Sequence, residues 1–199
     1  MKLSKKGEYA LRTLINLGIA AEVGRDLVQV TELADSEQLP VKFLEQIMQA
    51  LKEAGLVKSE RGKFGGYRLA KPARKVTIGA VVRLIDGPLA PIGCVSQTAY
   101  EKCTCPDEAH CGLRMLMLDV RNAITGILDR YTLADVVEVT LRKLRRDGLP
   151  LPFSPEAEAS PTSVRIPARH ARKQARRAPR PRLDASEGVL HHLLGDYAI

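Results

Sequence analysis

The chain has 199 residues, 45% of them hydrophobic, no Trp, and a formal charge of +8. That composition supports a packed core and suits a polyanionic partner. It excludes a membrane protein of the helical kind, because no run approaches the roughly 18 apolar residues of a span, and the start, Met1 to Ala10, lacks the apolar core of a signal peptide; a cytoplasmic protein with no membrane contact is expected.

Ser4 is placed to cap a first helix whose Leu11, Leu14, Ile15 and Ile19 form one apolar stripe, with Gly18 on the same face allowing close approach. Val30 and Thr31 open a short second helix with Leu33 and Ala34 inward. Leu39-Pro40 turns the chain into a third helix, about Val41 to Ala54, stopped by Gly55. Here Leu44, Ile47, Met48 and Leu51 make the buried stripe, and Lys42, Glu45, Gln46 and Gln49 form a separate exposed row. Two short helices joined by a tight turn suggest helix-turn-helix. Leu56 to Leu69 then reads as two short strands around a basic, glycine-rich tip, Arg61-Gly62-Lys63-Phe64-Gly65-Gly66, which is a wing-like hairpin.

Thr77 caps a fourth helix with Ile78, Val81, Val82 and Ile85 inward, ended by Asp86-Gly87-Pro88. All four cysteines follow in one irregular loop: Cys94, Cys103, Cys105 and Cys111. Beyond it, Leu113, Leu116, Met117, Val120, Ile124, Ile127 and Leu128 keep helical spacing for about four turns, more apolar face than a lone terminal helix can leave bare; a second copy of the chain would cover it. Thr132 and Asp135 resemble a capping box opening a last helix to about Arg146, stopped by Gly148 and Pro150. Prolines and a basic run from Arg169 to Arg182 then break the pattern. One or two amphipathic turns near Gly188 to Tyr197 are expected at the end.

The expected class is mainly α, with a winged helix-turn-helix over residues 1–87, a cysteine loop over 88–111, a long dimerisation helix and short last helix over 112–148, and a mostly disordered basic tail over 149–199. On the third helix, glutamines suit adenine edges and a glutamate the cytosine amino group; the plain alternative is a solvated face. At the tip, Arg61 and Lys63 among glycines suit close approach to phosphate or a narrow minor groove, with an ordinary surface turn as the alternative. Phe64 and Tyr67 are too few aromatics for an RNA-stacking sheet.

Gathered thiols point to a soft-metal or redox centre. The gaps of eight, one and five residues fit neither a ferredoxin run nor paired zinc knuckles, so an Fe-S cluster, structural zinc and a metal-free thiol switch all stay open. His110 is a weaker ligand candidate, since a lone loop histidine is usually just solvated. No nucleophile elbow, phosphate loop or helical His pair is present, so no enzyme is expected.

Met1 to Arg12, Phe43-Leu-Glu-Gln-Ile47 and Gly55-Leu-Val-Lys-Ser-Glu-Arg-Gly-Lys-Phe-Gly-Gly-Tyr67 together resemble the IscR/NsrR/RirA regulators, the Rrf2 family, over about residues 1–146. The resemblance implies a homodimeric winged-helix transcription factor that binds a palindromic double-stranded DNA operator. It also implies a three-cysteine loop holding an Fe-S cluster, 2Fe-2S or 4Fe-4S, that senses iron, oxygen, nitric oxide or redox state. On that motif Cys94, Cys105 and Cys111 match the family cysteines, and Cys103 is extra: an alternative ligand, a fourth ligand or a redox partner. Where some members place a histidine ligand stands Arg114, a poor metal ligand. Glu8 of the partner subunit is the candidate fourth ligand; the alternative is an ion pair with Arg12. Lys42, Glu45 and Gln46 match base-reading positions and Arg61 the wing arginine, while Thr31, Phe43, Gln49, Gly62 and Lys63 complete the expected DNA-contacting set.

Overall fold

The computed structural model describes residues 2–62 and 64–154; Lys63, the basic run and the turns expected near Gly188 lie outside the described residues. In chain order the elements are α1 (Lys5–Glu22), α2 (Val30–Glu37), α3 (Val41–Glu53), β1 (Val57–Glu60), β2 (Gly66–Leu69), α4 (Ile78–Asp86), α5 (Gly112–Arg130) and α6 (Leu133–Arg146). The winged helix-turn-helix class expected from the sequence is the fold found.

Helix α1 is the hub, packing on α2, α3, α4, α6 and β2. Ser4 caps it, accepting from the Gly7 amide at 2.9 Å. The Ser4 amide in turn donates to Asp86 at the end of α4, 2.8 Å away, and the Ser4 hydroxyl bonds the same carboxylate. A Cβ on Gly7 would stand 2.6 Å from that carboxylate, so a glycine is what lets α1 meet the end of α4. Its buried side chains are Ala10, Thr13, Leu14, Leu17, Ile19 and Ala20, while Leu11 and Ile15 are only half-buried. The expected stripe is therefore turned by about one residue, because small Ala10 and Thr13 bury easily and helices surround α1 on several sides. Gly18 does allow the close approach expected of it: a Cβ there would lie 2.6 Å from Val137 of α6.

In α3 the sequence pattern and the structure coincide. Leu44, Ile47, Met48 and Leu51 are fully buried, and Gly55 ends the helix with φ 65°. Strands β1 and β2 pair antiparallel from Val57↔Leu69 to Glu60↔Gly66. Val28, in the connection before α2, adds a bridge to Tyr67, with N–H to O bonds both ways at 3.1 and 2.8 Å. Gly66 makes room for it, since a Cβ would sit 2.6 Å from the Val28 carbonyl oxygen.

Thr77 caps α4 as expected, and Thr132 with Asp135 forms a reciprocal capping box on α6. In α4, Val81 and Val82 are buried and Ile78 and Ile85 only partly so. The packed body runs on to Ser154: Phe153, at φ 64°, is 7% exposed and joins the core. Residues 151–154 thus belong to the folded body rather than to the tail expected from Leu149 onward.

Candidate DNA interface and cysteine loop

The exposed row of α3 is where the pattern put it. Lys42, Glu45, Gln46 and Gln49 all face outward, with Phe43 half-buried. Gln49 donates to Glu53 at 2.8 Å; the Phe43 ring meets Tyr9 edge-on, with centroids 5.9 Å apart. That aromatic contact, backed by Arg12 over the Tyr9 ring, fixes the start of α3 on α1. Thr31 lies in the first turn of α2, exposed to solvent. At the wing, Arg61 and Gly62 are exposed, Gly62 at φ 120°, a conformation that favours glycine.

Sequence reasoning missed the network that braces α2. Glu37 is buried, yet it takes an Arg12 guanidinium at 2.6 Å and the Asn16 amide at 2.6 Å. Burial pushes its carboxyl up, and Arg12 and Asn16 pull it back. Such partners are needed wherever a carboxylate is taken out of water. Their i, i+4 placement on α1 was the only signal available. Glu8, the expected metal-ligand candidate of a partner subunit, is held within its own chain by Lys5 at 2.7 Å and Arg12 at 3.8 Å, and the Lys5 hydrogen bond keeps its carboxyl below the usual range.

The cysteine loop starts with a single 3-10 turn, Gly93–Val95, and ends where Cys111 caps α5. Cys94 is 5% exposed, Cys103 and Cys111 are half-buried and Cys105 is open to solvent. Two of the sulfurs approach each other, Cys105 Sγ lying 4.0 Å from Cys111 Sγ, and Cys103 is near enough to Cys94 and Cys105 to act on the ionisation of both. Burial, then Cys103, pushes the Cys94 thiol up; the Cys103 and Cys111 thiols beside it push Cys105 up to about 12. Cys111 moves the other way, because the Arg114 amide at the start of α5 favours its thiolate. Glu108, which the sequence did not single out, ties the loop together by accepting from Cys103 at 3.7 Å and Tyr100 at 2.9 Å and pairing with Arg114 at 3.2 Å. His110 bonds Asp107 at 2.6 Å.

As a donor set this loop fits a thiolate-held group in chemistry, with four soft ligands in one short segment. Among the described residues, no three His, Cys, Asp or Glu side chains converge as a metal site.

Helix α5 packs on α4 and on the turn at Gly93–Val95. Its expected apolar stripe divides in two. Met117, Ile124 and Leu128 are half-buried against the chain's own body, whereas Leu113 (59% exposed), Leu116 (57%), Val120 and Ile127 face outward. With Ala123, also exposed, the outward set is spaced 3, 4, 3, 4, the seam spacing of a coiled coil. Among the described residues no helix is long and apolar enough to cross a membrane.

Residues 3–139 match the family described as "Rrf2: Iron-dependent Transcriptional regulator". The chain is 41% identical over 139 residues to an HTH-type, Rrf2-like transcriptional regulator of Rhodobacter capsulatus, covering 68% of this chain and 91% of that one. Among solved structures it is similar to CymR, the global cysteine regulator of B. subtilis, with TM-score 0.58 and 32% identity over 69% of this chain and 97% of that chain. IscR of T. potens gives TM-score 0.54 and 28% identity over 69% of this chain and 87% of that chain.

Proposed function

Given that the chain belongs to the Rrf2 family of transcriptional regulators, not enzymes, we propose that it works as a homodimer on a palindromic DNA operator, its affinity set by the state of the cysteine loop. Lys42, Glu45, Gln46 and Gln49 are the base-reading residues; Thr31, Phe43, Arg61, Gly62 and Lys63 position them against the backbone. Two copies joined along the bare seam of α5 would present two α3 helices to successive half-sites. The observation that carries the regulatory reading is position: the four thiols sit between α4 of the DNA-reading body and the first turn of the helix that bears the seam.

The residues proposed to hold an Fe-S cluster, 2Fe-2S or 4Fe-4S, are Cys94, Cys105 and Cys111, with Cys103 or Glu8 of the partner subunit as further ligand. Such a cluster, when bound, supplies a cross-link sensitive to iron, nitric oxide or redox state. The chain's own part is to keep Cys94 dry, to favour thiolate at Cys111, and to transmit any rearrangement into α5. Coupling follows only from a difference in affinity of the two loop states for DNA. Anaerobic purification with visible absorbance, iron and sulfide assays tests this. Colour with stoichiometric iron is expected; a colourless chain that binds its operator normally would overturn the cluster reading, and stoichiometric zinc would replace it with a structural site. Arg61→Ala and Glu45→Ala should lower operator affinity and specificity in fluorescence anisotropy, and unchanged binding by both would remove the DNA assignment.

A second reading rests on the 4.0 Å approach of Cys105 to Cys111, which suits a metal-free thiol switch. Thiol counting by mass spectrometry before and after mild oxidant separates it from the first.

A further inference from the structure

The most buried side chain of α5 is an arginine. Arg121 is 8% exposed on a helix whose leucines, methionines and isoleucines are exposed or half-buried, and its side chain makes no hydrogen bond or ion pair among the described residues. Its buried Nε has no partner. A guanidinium cannot shed its proton to escape burial, so a charge in this position calls for a counter-charge.

Arg121 lines a small pocket at the seam of three parts of the molecule, walled by Arg83 of α4, Leu89, Ser96 and Gln97 of the loop, and Thr125 of α5. None of the lining residues is acidic. The second cation is already satisfied: Arg83 is held by both oxygens of Asp129, at 2.7 and 2.6 Å. Thr125 has committed its hydroxyl proton to carbonyls of its own helix. Ser96 has not. It is buried, and its oxygen accepts from the Ala99 amide at 3.0 Å, which leaves its O–H to donate. The pocket thus offers one uncompensated guanidinium and one buried hydroxyl donor. Its free volume of about 10 Å³ is room for one atom-sized occupant.

We propose that this pocket is a binding site for a small inorganic anion of chloride size, held by the Arg121 guanidinium and the Ser96 hydroxyl. Its place gives it a role. The anion would join the loop two residues beyond Cys94 to α5, beside the Arg83–Asp129 pair that joins α5 to α4, so its occupancy would stiffen the connection between the cysteines and the DNA-reading body.

The test uses the full chain and chloride as the probe. Thermal midpoints are measured as sodium chloride replaces sodium gluconate, too large for the pocket, at constant ionic strength and fixed protein concentration. The midpoint should climb with the logarithm of chloride once the site begins to fill, and Arg121→Met should flatten that climb. Crystals soaked in bromide provide a reading that needs no variant: an anomalous peak beside the Arg121 guanidinium is expected. A wild-type midpoint indifferent to chloride, an equal climb in Arg121→Met, or no bromide at Arg121 would overturn the proposal. So would a midpoint that follows protein concentration but not chloride, because the counter-charge would then be a carboxylate of a second copy.

Discussion

Helices α3 and α5 carry similar apolar content and use it in opposite ways. In α3 the leucine, isoleucine and methionine of the stripe all turn inward and are fully buried, and the polar row is left to solvent. In α5 Leu113, Leu116, Val120 and Ile127 turn outward, and the buried residue is Arg121. One helix buries its apolar face within a single chain; the other leaves much of its apolar face bare. The contrast teaches that the stability of the body around α3 and the proposed pairing along α5 would rest on different residues, and so could be altered separately.

The sharpest way to break that contrast is to cut both helices alike. Leu44→Ala in α3 should cost about 2–5 kcal/mol of stability in urea unfolding, the usual loss for a buried leucine, whereas Leu116→Ala at low protein concentration should change it by less than about 0.5 kcal/mol. If the two losses are equal, α5 is no less buried in solution than α3. The next largest effect is on assembly. Leu116→Glu should weaken self-association at least about tenfold, roughly 1.4 kcal/mol, read by sedimentation equilibrium, with the unfolding midpoint of the monomer unmoved.

Smaller effects sharpen the boundary between the regions. Thr132→Ala removes one half of the α6 capping box and should lower stability by about 1 kcal/mol. Smallest is the clasp between α4 and α5, whose partners are both partly exposed; such pairs contribute about 0–1 kcal/mol. Arg83 holds the Asp129 carboxyl below its usual range. Its contribution is therefore present at neutral pH and is lost as pH falls through that lowered value. Asp129→Asn should flatten this part of the acid limb in stability measured against pH.

The parts of the fold that were legible in the sequence share a physical cause. The α3 stripe could be read because one face is buried and one is wet, so hydropathy alternates cleanly with the helical period. Helix α1 could not be read as well, since it is wrapped on several sides and buries Ala10 and Thr13, residues with little hydropathy signal. The long helix was visible as a helix, but its division into an inward and an outward face was not. Met117 and Leu116 look alike in sequence and differ only in what stands next to them. At the loop, spacing disclosed that the thiols gather but not that Cys94 is dry, nor that Glu108 and Arg114 bind the loop to itself, because those contacts come from how an irregular segment folds back. Arg121 would be expected on a solvated face by composition alone, and only the three-dimensional seam shows it inside.

The two-way bridge between Val28 and Tyr67 makes the molecule a caliper. One jaw is the outer face of α3 and the other is the tip of the hairpin, and the bridge pins the hairpin to the strand-like connection that leads into α2. The bridge restrains how far the base of the hairpin can swing relative to α3. If the proposed contacts of α3 and the hairpin are made on one duplex, a groove spacing that does not suit this restrained pair would require the duplex to change shape, and sequences would then differ in affinity by their pliability as well as by their base edges.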